Sequence, residues 1–267
     1  MIKDITIGQF FPGNSPVHRV DPRVKILLTI AYMAAVFVVE GFIGYAVLFA
    51  FVALIARLSR VKLKFLVRGL KPLIFIIAFT FVLNILFTTG DTPLFTFWII
   101  RVYPEGVKMA VYFALRLVFL VIGTSLLTLT TSPMALTDAL ERLLKPLKKI
   151  KFPVHELAMM MTIALRFIPT LLEEMDKIMK AQTARGADFE TGNLIERAKA
   201  MIPLLVPLFI SAFRRADELA MAMEARCYRG DVNRTRMKVL HLARLDLYAG
   251  LIMAAVWALL IAERVLL

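Results

Sequence analysis

Residues 107–131 read VKMAVYFALRLVFLVIGTSLLTLTT and hold only two charges in 25 positions, Lys108 near the start and Arg116 within. As a helix this stretch rises about 38 Å at ~1.5 Å per residue, more than the roughly 30 Å of a bilayer's hydrocarbon core. Four further stretches are apolar enough to cross, 24–39, 42–56, 70–88 and 247–262. The first two are short and joined only by Glu40-Gly41, so they form an antiparallel hairpin. The fold class that follows is all-α, a polytopic membrane protein with about five transmembrane helices.

Composition agrees. Of 267 residues, 60% are hydrophobic, 20 are Phe and 14 are Met, and the mean hydropathy is +0.75. A soluble domain is about 45–50% apolar even with glycine counted, and one of this length could not bury such an excess. Residues 1–6 lack the basic start and apolar stretch of a cleavable signal, so targeting falls to the first span.

Thirty-three Lys and Arg against 20 Asp and Glu give a net charge of +13. On a membrane chain this excess belongs to cytoplasmic loops and anionic head groups rather than to nucleic acid. Arg57, Arg60, Lys62, Lys64, Arg68 and Lys71 lie between the second and third spans with no acidic residue among them, which makes that loop cytoplasmic. Counting back puts the N-terminus with Arg19, Arg23 and Lys25 on the same side. Counting forward puts 89–106 outside, 132–246 in the cytoplasm and the C-terminus outside. Three regions result: 1–131 with four spans, 132–246 as a cytoplasmic segment, and 247–267 as the last span, in a multi-pass protein of the plasma membrane.

Several chemistries are excluded. A single cysteine, Cys227, forbids an intrachain disulfide, and His18, His155 and His241 are too scattered for a metal site, so neither metal nor cofactor is expected. No G-x-x-x-x-G-K-[ST] occurs, so any coupling to ATP requires another chain. Glu173, Glu174 and Asp176 read as a solvated helix face, and no nucleophile has a recognisable setting, which argues against an enzyme. The runner-up function, a stand-alone secondary transporter or channel, calls for acids or broken helices at the membrane midplane, and the five spans hold no central Asp or Glu. Arg116 lies close to mid-membrane and should face the bundle or a partner, with Asn84 as its expected polar company.

The segment 132–246 alternates apolar and charged residues at helical spacing. Leu136, Leu140, Leu143, Leu144 and Leu147 make an amphipathic helix that Pro146 disturbs near its end. The run 157–172 is broken only by Thr162, Arg166, Pro169 and Thr170. A sixth crossing there would reverse the side of the basic 226–238, so a cytoplasmic-side helix is expected instead. Ile168, Leu171 or Leu172, Met175, Ile178 or Met179 and Gln182 continue its apolar stripe to Ala184-Arg185-Gly186. After 187–192 a second helix keeps the spacing through Leu194, Met201, Leu205, Leu208, Ala212, Ala216, Leu219 and Met223, with Pro203 and Pro207 inside it, and ends at Ala225-Arg226-Cys227. The apolar face, including Met160, Leu171, Leu205 and Leu208, needs lipid or a partner over it. Met159, Met160, Met161, Met175, Met179, Met201, Met221 and Met223 are either ordinary core or a soft, repackable surface.

The two helix ends set Arg at matching positions 41 residues apart, since 226 − 185 = 41. Gly past a helix end takes the left-handed conformation cheaply, and Arg in a last turn complements the dipole, so either end alone is explained as a cap. Cys227 is a poor left-handed capping residue, so capping is not expected to explain the second end. A planar guanidinium with five donors is suited to gripping carboxylates and carbonyls in a partner's groove.

On these residues the chain resembles the EcfT family, the transmembrane coupling subunits of energy-coupling-factor (ECF) vitamin transporters, whose hallmark is two Ala-Arg-Gly motifs ending two coupling helices. The resemblance extends from about Gly8 to the last span. It includes Pro16-Val17-His18-Arg19-Val20-Asp21-Pro22-Arg23-Val24-Lys25, Ala164-Leu165-Arg166-Phe167-Ile168-Pro169, Arg185-Gly186-Ala187-Asp188-Phe189 and Tyr228-Arg229-Gly230. Cys227 departs from the family's glycine, which puts the local turn in question. The resemblance implies a non-catalytic subunit of an ATP-driven importer. Ala184, Arg185 and Gly186 would meet one ABC-type ATPase subunit, and Ala225, Arg226 and Cys227 the other. A membrane-embedded, vitamin-binding (S) subunit would cover Met160, Leu171, Leu205 and Leu208.

Overall fold

The computed structural model describes residues 10–89, 95–97, 100–189, 193–230 and 241–266. The chain divides into two compact units, Met1–Ala139 with Val239–Leu267, and Leu140–Lys238. The first six residues, most of the basic 226–238 and part of the 89–106 loop lie outside the described residues.

In the first unit α1 (Pro16–Arg19), α2 (Pro22–Val38) and α6 (Pro104–Thr130) begin with proline, whose missing N–H costs nothing in a first turn. Ser15 caps α1 and Asp21 caps α2, each through its side chain. α3 (Phe42–Ser59) returns beside α2, and α4 (Leu63–Leu70) leads through a 3-10 turn, Lys71–Leu73, into α5 (Ile74–Phe87). A small antiparallel hairpin of β1 (Phe95–Phe97) and β2 (Ile100–Val102), pairing Phe95 with Val102, precedes α6. α7 (Pro133–Leu143) follows α6 and carries the chain from the first unit into the second after Ala139, and α10 (Arg244–Leu266) completes the first unit.

α6 is the axis on which α2, α3, α4 and α5 pack, while α10 lies against α2 and α3. The core between them contains Tyr32, Val36, Leu48, Val52, Phe119, Leu126, Met253 and Leu260. α2 approaches α6 so closely that a Cβ at Gly123 would overlap the Tyr32 ring, and the Tyr32 hydroxyl donates to the Phe119 carbonyl at 3.0 Å. At one end of the unit, Lys25 Nζ donates to the carbonyls of Thr130 at 2.9 Å and His18 at 3.2 Å, and lies 3.3 Å from Thr131 Oγ1. It thereby satisfies one of the last carbonyls of α6, which no helical N–H can reach. Asp246 Oδ1 accepts the Asp21 N–H at 2.7 Å and so ties α10 to the start of α2.

Among the described residues five helical stretches are long and apolar enough to cross a membrane: Phe42–Ser59, Leu63–Phe87, Pro104–Thr130, Val154–Ala184 and Arg244–Val265. The chain is a multi-pass, all-α membrane protein. The membership of this set differs from the expected one. α2, expected to cross, is 17 residues long and falls just short of 18. α8, expected to lie on the cytoplasmic side, is included because the apolar part of this 31-residue helix is itself long enough to cross.

Arg116 also finds different company. Its Nη2 donates to the Val39 carbonyl at 3.4 Å, and its guanidinium lies 5.6 Å from both the Phe37 and Phe113 ring centres. Asn84 instead donates to the Thr80 carbonyl one turn back in its own helix, at 2.8 Å.

The second unit is built on α8 (Val154–Ala184) and α9 (Leu194–Ala225), reached through a 3-10 turn, Lys145–Ile150, that carries Pro146. α9 opens with a capping box between Asn193 and Glu196. The two helices pack together as an antiparallel pair, joined at mid-length by Arg215 Nη2 and Glu174 Oε2 at 3.0 Å. Pro169 lies inside α8, and Pro203 and Pro207 lie inside α9.

Candidate functional site

α8 stops at Arg185, whose backbone (φ −88°, ψ 6°) leaves the helical region. Gly186 follows at φ 90°. Its N–H donates to the Thr183 carbonyl and the Ala187 N–H to the Gln182 carbonyl, both at 3.0 Å. This is a Schellman cap, which satisfies carbonyls the helix leaves open.

α9 ends the same way. Arg226 has φ −93° and ψ 12°, Cys227 has φ 55°, and the Cys227 and Tyr228 N–H groups donate to the Glu224 and Met223 carbonyls at 2.8 and 3.0 Å. The expectation that capping would not explain this end is therefore corrected: Cys227 adopts the left-handed turn that glycine adopts at the first end. A side chain in that conformation costs roughly 1–2 kcal/mol. The substitution for glycine leaves the turn intact and adds strain.

Both ends accordingly present arginine from the same backbone geometry. Ala184, Arg185, Gly186, Ala225, Arg226 and Cys227 are all exposed. Among the described residues neither guanidinium is hydrogen-bonded or ion-paired. Because α8 and α9 are antiparallel, the two arginines sit at opposite ends of the pair, separated by the length of a 31-residue helix, on the order of 45 Å at ~1.5 Å per residue. No single small groove can hold both.

Of the residues expected under a membrane partner, Met160 and Leu205 are 55% and 49% exposed, whereas Leu171 and Leu208 are half-buried. The sequence reading missed a second apolar stripe on α9, formed by Ile202, Val206, Phe209, Ile210 and Phe213, all more than half exposed. It also missed His155, which is 6% exposed and links Glu141 to Tyr228 beside the second arginine. Among the described residues no cluster of His, Cys, Asp and Glu is suited to a metal ion.

Residues 13–238 match the family model described as CbiQ, cobalt transport protein. A Clostridium kluyveri protein named energy-coupling factor transporter transmembrane protein EcfT is 60% identical over 252 residues, covering 94% of this chain and 93% of its own length. Proteins of the same name from Thermosediminibacter oceani and Bacillus subtilis are 57% and 51% identical, covering 93% and 90% of this chain and 93% and 91% of their own lengths. The similarity spans the membrane helices and both arginine-tipped ends alike, and the chain belongs to this family of transmembrane (T) components of ECF transporters.

Proposed function

We propose that the chain is the non-catalytic coupling subunit of an ATP-driven ECF-type importer in the plasma membrane, and that its two arginine-tipped helix ends dock on two ABC-type ATPase subunits. The observation that carries this reading is the pair of congruent ends, each with a free guanidinium, facing opposite directions on one helix pair. Two separate grooves, one per ATPase, suit that spacing. When the ATPases close on ATP, the grooves approach each other and carry the tips with them. α8 and α9 then move as levers, and their exposed apolar surface passes the motion to a vitamin-binding membrane subunit. The N-terminus and the coupling segment lie on the cytoplasmic side, where ATP is. Nucleotide chemistry stays in the ATPases, since this chain has no phosphate-binding loop.

The test is Arg185→Ala, Arg226→Ala and the double change, read by co-purification of the ATPases and by vitamin uptake at equal expression. An arginine buried in a groove against fixed acceptors should lose roughly 2–5 kcal/mol of association on truncation, about 30-fold or more in affinity. A solvent-exposed cap should lose about 0–1 kcal/mol. Lys at either position should rescue only in part, because a point charge does not reproduce the planar fork. Unchanged co-purification and uptake in the double variant would reduce both ends to caps.

A further inference from the structure

The two ends share a turn but are held in it differently. At Gly186 the turn needs no support, and nothing lies within 4 Å of where a Cβ would stand. The residue after it is Ala187, whose side chain offers no anchor. At the second end Cys227 carries a side chain at φ 55°, a strained conformation that persists only where its surroundings over-determine it. The residue after it is Tyr228, and its hydroxyl lies 3.2 Å from His155 Nε2.

His155 is itself fixed. It is 6% exposed in the first turn of α8, and its Nδ1 lies 3.0 Å from Glu141 Oε1. A carboxylate only accepts, so Nδ1 carries a proton, and Nε2 is the ring atom that meets the tyrosine hydroxyl. Glu141 orients the ring, and the ring orients Tyr228. The Tyr228 N–H closes the turn onto Met223 at 3.0 Å, and Arg226 stands two residues before it.

We infer that His155 is a positioning residue for Arg226: through Tyr228 it holds the strained turn at Cys227 and so sets the direction in which the second arginine projects. The inference rests on the reading that Arg226 docks on an ATPase. It adds an asymmetry that the matching motifs conceal, for glycine alone shapes the first tip, whereas a buried side-chain chain anchored at the start of α8 shapes the second. A displacement of the second tip is thereby felt at the beginning of α8 as well as along α9.

The test uses the assembled transporter and measures ATPase association with the membrane chain. Tyr228→Phe removes only the hydroxyl, and His155→Leu removes its partner; each should weaken association about 5–30-fold, the equivalent of a conformation worth one or two kcal/mol. Combined with Arg226→Ala, neither should add more than about 2-fold, because the arginine they position is gone. Combined with Arg185→Ala, each should multiply in full, because that tip has no part in the chain. Cys227→Gly should restore most of the Tyr228→Phe loss, since glycine takes the turn unaided. Losses that multiply equally on both arginine backgrounds, or that Cys227→Gly leaves unrelieved, would mark His155 as a merely structural residue and overturn the inference. If His155→Leu fails to fold, the pair Tyr228→Phe and Tyr228→Phe with Cys227→Gly decides by the same criterion. An Arg226→Ala variant with unchanged association would overturn the docking reading instead.

Discussion

Lys25 in α2 and Arg116 in α6 are both cations in apolar helices, and their surroundings give them opposite worth. Lys25 is 7% exposed and its ammonium meets three oxygens. Replacing it with Met strands the Thr130 carbonyl at the end of α6 and should destabilise the purified chain by about 1–3 kcal/mol. Arg116 makes one long bond of 3.4 Å, and its Nε is buried with no partner among the described residues. Its two ring contacts are worth about 0.5–2 kcal/mol each, and a mid-membrane arginine costs roughly 2.5–3.5 kcal/mol on insertion scales. These nearly cancel, so Arg116→Met should shift stability by less than about 1 kcal/mol. Thermal unfolding in detergent compares the two variants, and an Arg116 loss as large as that of Lys25 would show that the unpaired Nε has a hidden partner. Arg116 was legible as the charge to explain, because a span is read from composition. Its neighbours were not, because spacing along α6 does not say which face of α2 or α5 it meets. Cys227 was misread for a related reason: local propensity disfavours the left-handed turn, and the tertiary bond at Tyr228 outweighs it.

At the scale of elements, α9 shows where periodicity works and where it fails. From Leu208 onward the expected stripe is the shielded one except at Ala216, which is exposed: Leu208, Ala212, Leu219 and Met223 are half-buried beside Ser211 and Arg215. Between Ile202 and Ile210 every position is apolar or proline, so the sequence there carries no phase, and packing alone chooses the inner face. It chooses Leu204, 7% exposed, over the expected Met201 and Leu205. Leu204→Ala should therefore cost about 2–5 kcal/mol as a core truncation. Phe209→Ser with Phe213→Ser, at positions 61% and 69% exposed, should leave the unfolding temperature of the chain unchanged. The same pair should weaken capture of the proposed vitamin-binding subunit about 30-fold or more, as loss of aromatic anchors does at an interface. Full retention of that subunit by the double variant would move its docking surface elsewhere on the molecule.

For the whole molecule the side of the first arginine tip turns on whether α8 crosses the membrane. α2, α3, Leu63–Phe87, α6 and α10 make five crossings if the 17-residue α2 spans by drawing its flanks toward the interface. The coupling segment then shares a side with the basic 57–71 loop. Were α8 to cross as well, Arg185 would emerge on the far side, away from ATP, while the antiparallel α9 would bring Arg226 back beside His155 at the start of α8. Length and composition permit it, but Glu173, Glu174, Asp176, Lys177 and Lys180 occupy its second half, and each charge carried into hydrocarbon costs several kcal/mol on most scales. The protein contains its own reporter. Cys227 is the single cysteine of the chain and is exposed directly beside Arg226. In sealed vesicles holding the chain without ATPases to cover it, a membrane-impermeant maleimide should label Cys227 fully in inside-out vesicles. Right-side-out vesicles should stay unlabelled until they are permeabilised. A cysteine placed at Asp188 in a Cys227→Ser background should follow the same pattern, since both tips belong to one side. Labelling of the Asp188 cysteine from outside, with Cys227 still reached only from inside, would make α8 a further crossing with α9 returning beside it, and would detach Arg185 from any ATP-driven partner.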